Sequence, residues 1–218
     1  MEDYRTIRGT ATGEYEEKKS RFIAQLSFAD SEEKAVAFLE QVRAANRTAR
    51  HNVYAYRLRE GNRERYSDDG EPAKTAGTPA LEVLQHSGLT DLVVVITRYF
   101  GGVLLGTGGL VRAYQGAVQA GLASSTIIDK KEGIQLTVGT DYTGLGKLQY
   151  LIAQQNLTLI DTVYTEKVEL QLMVPVEQQQ EVEKEIVEAT NGSARISWGG
   201  KVLYALVDKK IEIFEKNT

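Results

Sequence analysis

Apolar positions fall on every second residue in several stretches of the first half of the chain. Residues 4–12 and 20–26 read as strands on this basis, separated by a polar stretch at 13–19. Residues 52–58 alternate cleanly, with Val53, Ala55 and Arg57 on one side and Tyr54, Tyr56 and Leu58 on the other. Glu60-Gly61-Asn62-Arg63 then supplies a hairpin turn. A helical period replaces the alternation after Asp30 or Ser31, where Val36, Phe38, Leu39 and Val42 share a face behind Glu32 and Glu33. Thr78-Pro79 opens a short helix, with the threonine as cap and the proline in the first turn. Residues 92–97 are almost wholly apolar and β-branched, which predicts a buried central strand. A glycine-rich turn follows, and Leu110, Val111, Tyr114, Ala117 and Val118 then mark a helix over 110–122.

Residues 123–131 are the expected boundary between two domains, 1–128 and 132–208. Beyond it the pattern predicts a strand at 134–138, a helix at 145–155 and strands at 158–164 and 168–174. A helix at 177–189 and a last strand at 194–198 or 202–207 complete the series. That order, βαββαβ, is the split-βαβ ferredoxin-like arrangement, so the fold class is α+β. Many chemistries use it, and this half offers no tight cluster of catalytic groups.

Composition narrows the chemistry. The 218 residues contain no cysteine, which excludes disulfides and thiolate chemistry, and only two histidines, so no metal site and no cofactor is expected. No targeting segment is expected at the termini, and the longest strongly apolar run, residues 92–96, is too short to span a bilayer. A cytoplasmic protein with no membrane partner is the expectation. The net charge of −4 lies wholly in residues 131–218, which hold 9 basic and 13 acidic side chains against 17 and 17 before them. Twelve of the 13 arginines precede residue 130, and seven crowd into residues 43–65. Arginine suits phosphate and base stacking, although charges on a solvated edge strand would give the same pattern.

Three constellations could carry chemistry. Gly101, Gly102, Gly106, Gly108 and Gly109 lead into a helix between Arg98 and Arg112, a setting that suits an anion or tight backbone packing. The Walker and Rossmann patterns both fail there, the latter at Val111. Asp68, Asp69 and Glu71 surround Gly70 and could hold magnesium, cap turns or contact a partner. Arg50 and His51 precede the tyrosines at 54 and 56, which could be core residues or a stacking surface for single-stranded RNA. Nothing in the sequence reads a DNA base pattern.

These segments together resemble the IMPACT/YigZ family. The likeness rests on Lys19-Ser20-Arg21-Phe22-Ile23-Ala24, Arg50-His51-Asn52-Val53-Tyr54-Ala55-Tyr56, Asp68-Asp69-Gly70-Glu71-Pro72 and Ala76-Gly77-Thr78-Pro79. It continues through Val95-Ile96-Thr97-Arg98-Tyr99-Phe100-Gly101-Gly102-Val103-Leu104-Leu105-Gly106 and Gly109-Leu110-Val111-Arg112-Ala113-Tyr114. The resemblance implies a first domain with the left-handed βαβ fold of ribosomal protein S-five domain two. It also implies a second domain like the ferredoxin-like domains of elongation factor G. Eukaryotic members of the family are linked to control of translation initiation through protein contacts on the ribosome. The expected function is therefore a translation-associated protein that contacts RNA or ribosomal phosphate through its first domain. The matching candidates are Arg21, Arg50, His51, Tyr54, Asp68, Asp69, Glu71, Arg98, Tyr99, Phe100, the five glycines and Arg112. A regulator that binds a protein through Tyr99, Phe100 and the acidic loop is the alternative. An enzyme for a phosphorylated small molecule is a further one, disfavoured by the lack of an evident nucleophile.

Overall fold

The structure, a computed structural model, describes residues 3–214. They form two antiparallel sheets and five helices, arranged as two compact units that meet in sequence at Ile128 and Asp129.

The first unit contains β1 (Tyr4–Ile7), β2 (Thr10–Glu17), β3 (Ser20–Phe28), α1 (Glu32–Ala45), β4 (His51–Leu58), β5 (Arg63–Ser67), α2 (Gly77–Ser87), β6 (Leu92–Tyr99) and α3 (Gly106–Ala123). Its main sheet has the order β2-β3-β6-β4-β5, with every neighbouring pair antiparallel. β6 is the central strand, and each of its residues from Leu92 to Arg98 is buried. Its even-numbered residues Val94 and Ile96 pack with Val53 and Ala55 against α2 and α3, while Val93, Val95, Tyr56 and Leu58 pack against α1. Helices therefore cover both faces, which explains the nearly continuous apolar run.

This topology fixes a chirality. β3 and β4 both pair with β6 between them, so they run parallel and α1 is their crossover. β5 and β6 flank β4 in the same way, with α2 as crossover. Relative to the first, the second crossover has reversed strands, opposite progress along the sheet and the opposite face. Reversing all three directions inverts the hand, so one of the two must be left-handed. About 98% of such crossovers are right-handed. The left-handed βαβ element implied by the family resemblance follows from the strand order, the strand directions and the opposite faces that α1 and α2 cover.

Some local expectations are corrected. The first strand breaks at Gly9, and the stretch expected to be a polar spacer is itself a strand, β2. Its alternating half-buried residues face α3, and Gly13 leaves room for the backbone of Gly121. Val36 is exposed, its place in the core being taken by Ala35. Thr78 does not cap α2. The helix starts at Gly77, and the Asp68 carboxylate accepts from the backbone N–H of Lys74, Ala76 and Gly77.

The second unit holds β7 (Ile127–Thr140), α4 (Tyr142–Gln154), β8 (Thr158–Tyr164), β9 (Val168–Pro175), α5 (Gln179–Thr190), β10 (Arg195–Val207) and β11 (Lys210–Phe214). Strand order β10-β7-β9-β8 is the ferredoxin-like one, with β11 added at the edge as a hairpin. The two candidate last strands are one strand, β10, whose register against β7 shifts between Trp198 and Lys201 at the Gly199-Gly200 pair. α4 and α5 cover one face over Leu136, Val138, Leu170 and Leu172.

Candidate functional site

Where β6 ends and β4 begins, His51 stands opposite Arg98 in the antiparallel register. A cavity of about 510 Å³ opens there, bounded by residues 48–51 on one side and Arg98, Tyr99, Phe100 and Leu104 on the other. Among the described residues no carboxylate lines it. Its polar wall comes from Arg50, His51 and Arg98, and its aromatic wall from Tyr99 and Phe100.

Arg98 is the deepest of these cations. Its Nη1 donates to Glu71 Oε1 at 2.6 Å, and the Tyr114 hydroxyl donates to the same oxygen at 2.8 Å. Burial, together with the charge of Glu71 and the hydrogen bond to it, pushes the Tyr114 phenol far above its ordinary pKa. The guanidinium carbon lies 5.5 Å from the Phe22 ring centroid and 5.7 Å from that of Phe100, close enough for cation–π attraction. Arg98 Nε is buried and has no hydrogen-bond partner among the described residues. A buried donor left unpaired is costly, and this one belongs to a residue that lines the cavity.

His51 has a defined tautomer. Its Nδ1 lies 2.8 Å from the carbonyl oxygen of Asp69, and a carbonyl can only accept. The neutral ring therefore carries its proton on Nδ1 and keeps a lone pair on Nε2. The Asp69 carboxylate is itself engaged, accepting from the backbone N–H of Asn52 at 2.6 Å and from Arg43 at 3.3 Å. With Asp68 capping α2 and Glu71 on Arg98, the acidic loop has all three carboxylates turned to internal partners. Among the described residues no group of three His, Asp or Glu side chains is placed to hold a metal ion.

The glycine segment differs from the loop expected. α3 starts at Gly106, so Gly106, Gly108 and Gly109 are its first turn and Arg112 lies beyond it. Leu105 precedes the helix without a side-chain cap. Gly101 serves packing: a Cβ there would lie 2.1 Å from the backbone carbon of Lys19, and its N–H donates to Ser20 Oγ. Gly102 and Gly106 take φ of +89° and +68°, conformations that favour glycine. Gly109 is buried, while Gly106 and Gly108 are exposed and Arg112 reaches back beside Gly108.

Most of the arginine-rich stretch is structural. Arg57 pairs with Glu64 and donates to the carbonyls of Leu84 and Leu89, Arg59 pairs with the buried Asp91, and Arg63 pairs with Glu32. Arg43 holds Glu40 and Asp69. Arg47 and Arg50 are exposed with no partner among the described residues, and the exposed Arg65 donates to the backbone carbonyl of Glu64. Arg21 pairs with Glu14 at the sheet edge and does not line the cavity. Tyr54 also departs from the expected role. It is half-buried over α1 and stacks on Tyr56 at 6.2 Å, so its ring serves the core. Tyr99 lines the cavity with its hydroxyl tied to Asn46 at the end of α1.

The matches to known proteins follow the two units. A family model described as the Impact N-terminal domain matches residues 18–122, and a domain of unknown function (DUF1949) matches residues 138–193. The IMPACT family member YvyE of Bacillus subtilis is 36% identical over 200 residues, covering 91% of this chain and 92% of its own. The chain belongs to the IMPACT family. A second IMPACT family member, YigZ of Escherichia coli, is 36% identical over 199 residues, covering 90% of this chain and 98% of its own. The IMPACT homologue of Dictyostelium discoideum shares 40% identity over 95 residues, which is 41% of this chain and 27% of that protein. A crystal structure of a hypothetical protein superposes with a TM-score of 0.59 at 36% identity, covering 90% of this chain and 97% of the other.

Within this IMPACT fold, sequence reasoning missed Thr48, Ala49 and Leu104 as cavity residues and Tyr114 as the second ligand of Glu71. Tyr114 left a trace, being the one aromatic in a helix face otherwise built from Leu110, Ala113, Ala117 and Val118. Residues 48–49 left none, because only the register of β4 against β6 brings them to the cavity.

Proposed function

We propose that this chain is a translation-associated RNA-binding protein whose first unit takes RNA phosphate in the cavity at the end of β6. The observation that carries the reading is the cavity lining: two arginines, one histidine and two aromatic rings, with no carboxylate among them. Cations beside stacking rings are what single-stranded nucleic acid requires. The translation side rests on the role attributed to eukaryotic members of the family. Cosedimentation of the purified protein with ribosomal particles tests it. Binding that is lost at high salt and weakened by Arg50→Ala is the expected result. A protein that stays at the top of the gradient at low salt overturns the ribosome reading.

A second reading has its own observation. Phe100, Val103 and Leu104 are 52%, 47% and 81% exposed on one loop, a cluster that suits a protein contact. Nuclease-insensitive recovery of one stoichiometric partner, lost on Leu104→Ser, would favour this over RNA.

A further inference from the structure

We infer that the cavity receives a phosphorylated end of an RNA strand and not a phosphate within the strand; this rests on the RNA reading of the same cavity. The argument starts from depth. Arg98 is only 8% exposed, so a phosphate that reaches its guanidinium has to leave bulk solvent. Its Nη1 is committed to Glu71, and its Nε is the buried donor without a partner among the described residues.

An internal phosphodiester carries a nucleotide on each side. To bring such a phosphate to the depth of Arg98, both arms would have to crowd into about 510 Å³, the size class of a single small molecule. A terminal phosphate brings only one arm. Charge points the same way. A phosphate monoester carries about −1.5 to −2 near neutral pH, more than the single charge of a diester. The wall that meets it carries the guanidinium groups of Arg98 and Arg50 beside the His51 ring. Asp68 and Asp69 are held by backbone N–H groups and Arg43, while Glu71 pairs with Arg98 Nη1 and offsets part of its charge. Arg50 is thus the cation of the lining that carries no ion pair among the described residues. Phe100, half-exposed at the rim, offers a ring for the terminal base. A 5′-phosphate and a 3′-phosphate present the same chemistry, and the experiment separates them.

The test is fluorescence anisotropy with the full chain and short RNAs of one sequence, labelled internally. One carries a 5′-phosphate, one a 3′-phosphate and one hydroxyls at both ends. One phosphorylated form should bind about tenfold tighter than the hydroxyl form, and the matching nucleoside monophosphate should displace it. The preference should fall in Arg50→Ala, an exposed position that leaves the fold alone. It should also fall in the double variant Arg98→Met with Glu71→Gln, which removes the buried pair together. Equal affinity for all three RNAs overturns end recognition and leaves RNA binding standing. No affinity for any of them overturns both. A preference that persists undiminished in both variants removes this cavity as the place of recognition.

Discussion

Glu71 and Arg98 meet at 2.6 Å with their side chains only 3% and 8% exposed. The pair ties the acidic loop to the end of the central strand, and Tyr114 of α3 joins it. Breaking a buried pair from one side leaves the other charge without compensation, at a cost of about 3–5 kcal/mol. Glu71→Ala is therefore expected to lower the stability of the first unit by that amount, and Glu71→Gln with Arg98→Met to recover most of it. The single tryptophan, Trp198, lies in the second unit. Urea unfolding of the first unit is accordingly followed by amide hydrogen exchange.

Asp68 makes a narrower prediction. Its two carboxylate oxygens accept from three backbone N–H groups at the start of α2. Asp68→Ala should cost about 0.5–2 kcal/mol, the usual range for a lost helix cap. The amides of Ala76 and Gly77 should then exchange faster, while those of β6 keep their protection. Unchanged exchange at both amides would show that the cap is dispensable.

The cap and the ion pair also show what was legible in the sequence. Strand β6 was legible because burial on both faces leaves an unbroken apolar run. The order of elements in the second unit was legible because each amphipathic period is long. The partners of Asp68, Asp69 and Glu71 were not, since a carboxylate in a loop reads the same whether it caps a helix, holds a cation or meets solvent. The arginines misled for a related reason. Arg57 meets Glu64 across a hairpin seven residues on, but Arg59 meets Asp91 and Arg63 meets Glu32 only through the tertiary fold.

Acid should expose the hairpin pair. Burial raises the Glu64 pKa, but hydrogen bonds from Arg57 and Gln85 and the Arg57 charge outweigh it, leaving the carboxyl below its ordinary range. A depressed folded-state pKa gives stability that is fully present above the unfolded value of about 4.3. That stability is lost as the pH falls from there through the folded value. Urea midpoints measured downward from neutral pH should fall in this window, and Glu64→Gln should flatten the fall. A variant with an acid limb as steep as the parent's would show that other carboxylates control it.

Two glycines should respond in opposite directions to one methyl group. At Gly101 a Cβ meets the backbone of Lys19, which cannot turn aside, so Gly101→Ala should destabilise by about 1–3 kcal/mol through overpacking. At Gly146, inside α4, a Cβ meets nothing within 4 Å and the φ is ordinary for a helix. Gly146→Ala should stabilise by about 0.5–1 kcal/mol. Thermal unfolding of the two variants checks both signs.

The salt dependence of RNA binding separates a defined site from a diffuse basic surface. Each phosphate contact made by a cation adds about one to the slope of log affinity against log salt. Arg50 lines the cavity with no partner among the described residues, whereas Arg63 is paired with Glu32, whose carboxyl is held low by hydrogen bonds from Tyr56 and Arg63. Arg50→Ala should therefore reduce the slope by about one, and Arg63→Ala should leave it unchanged. Equal losses from both would mean that the guanidinium of Arg63 gives up Glu32 to reach phosphate. The whole arginine-rich stretch, and not the cavity, would then be the binding surface.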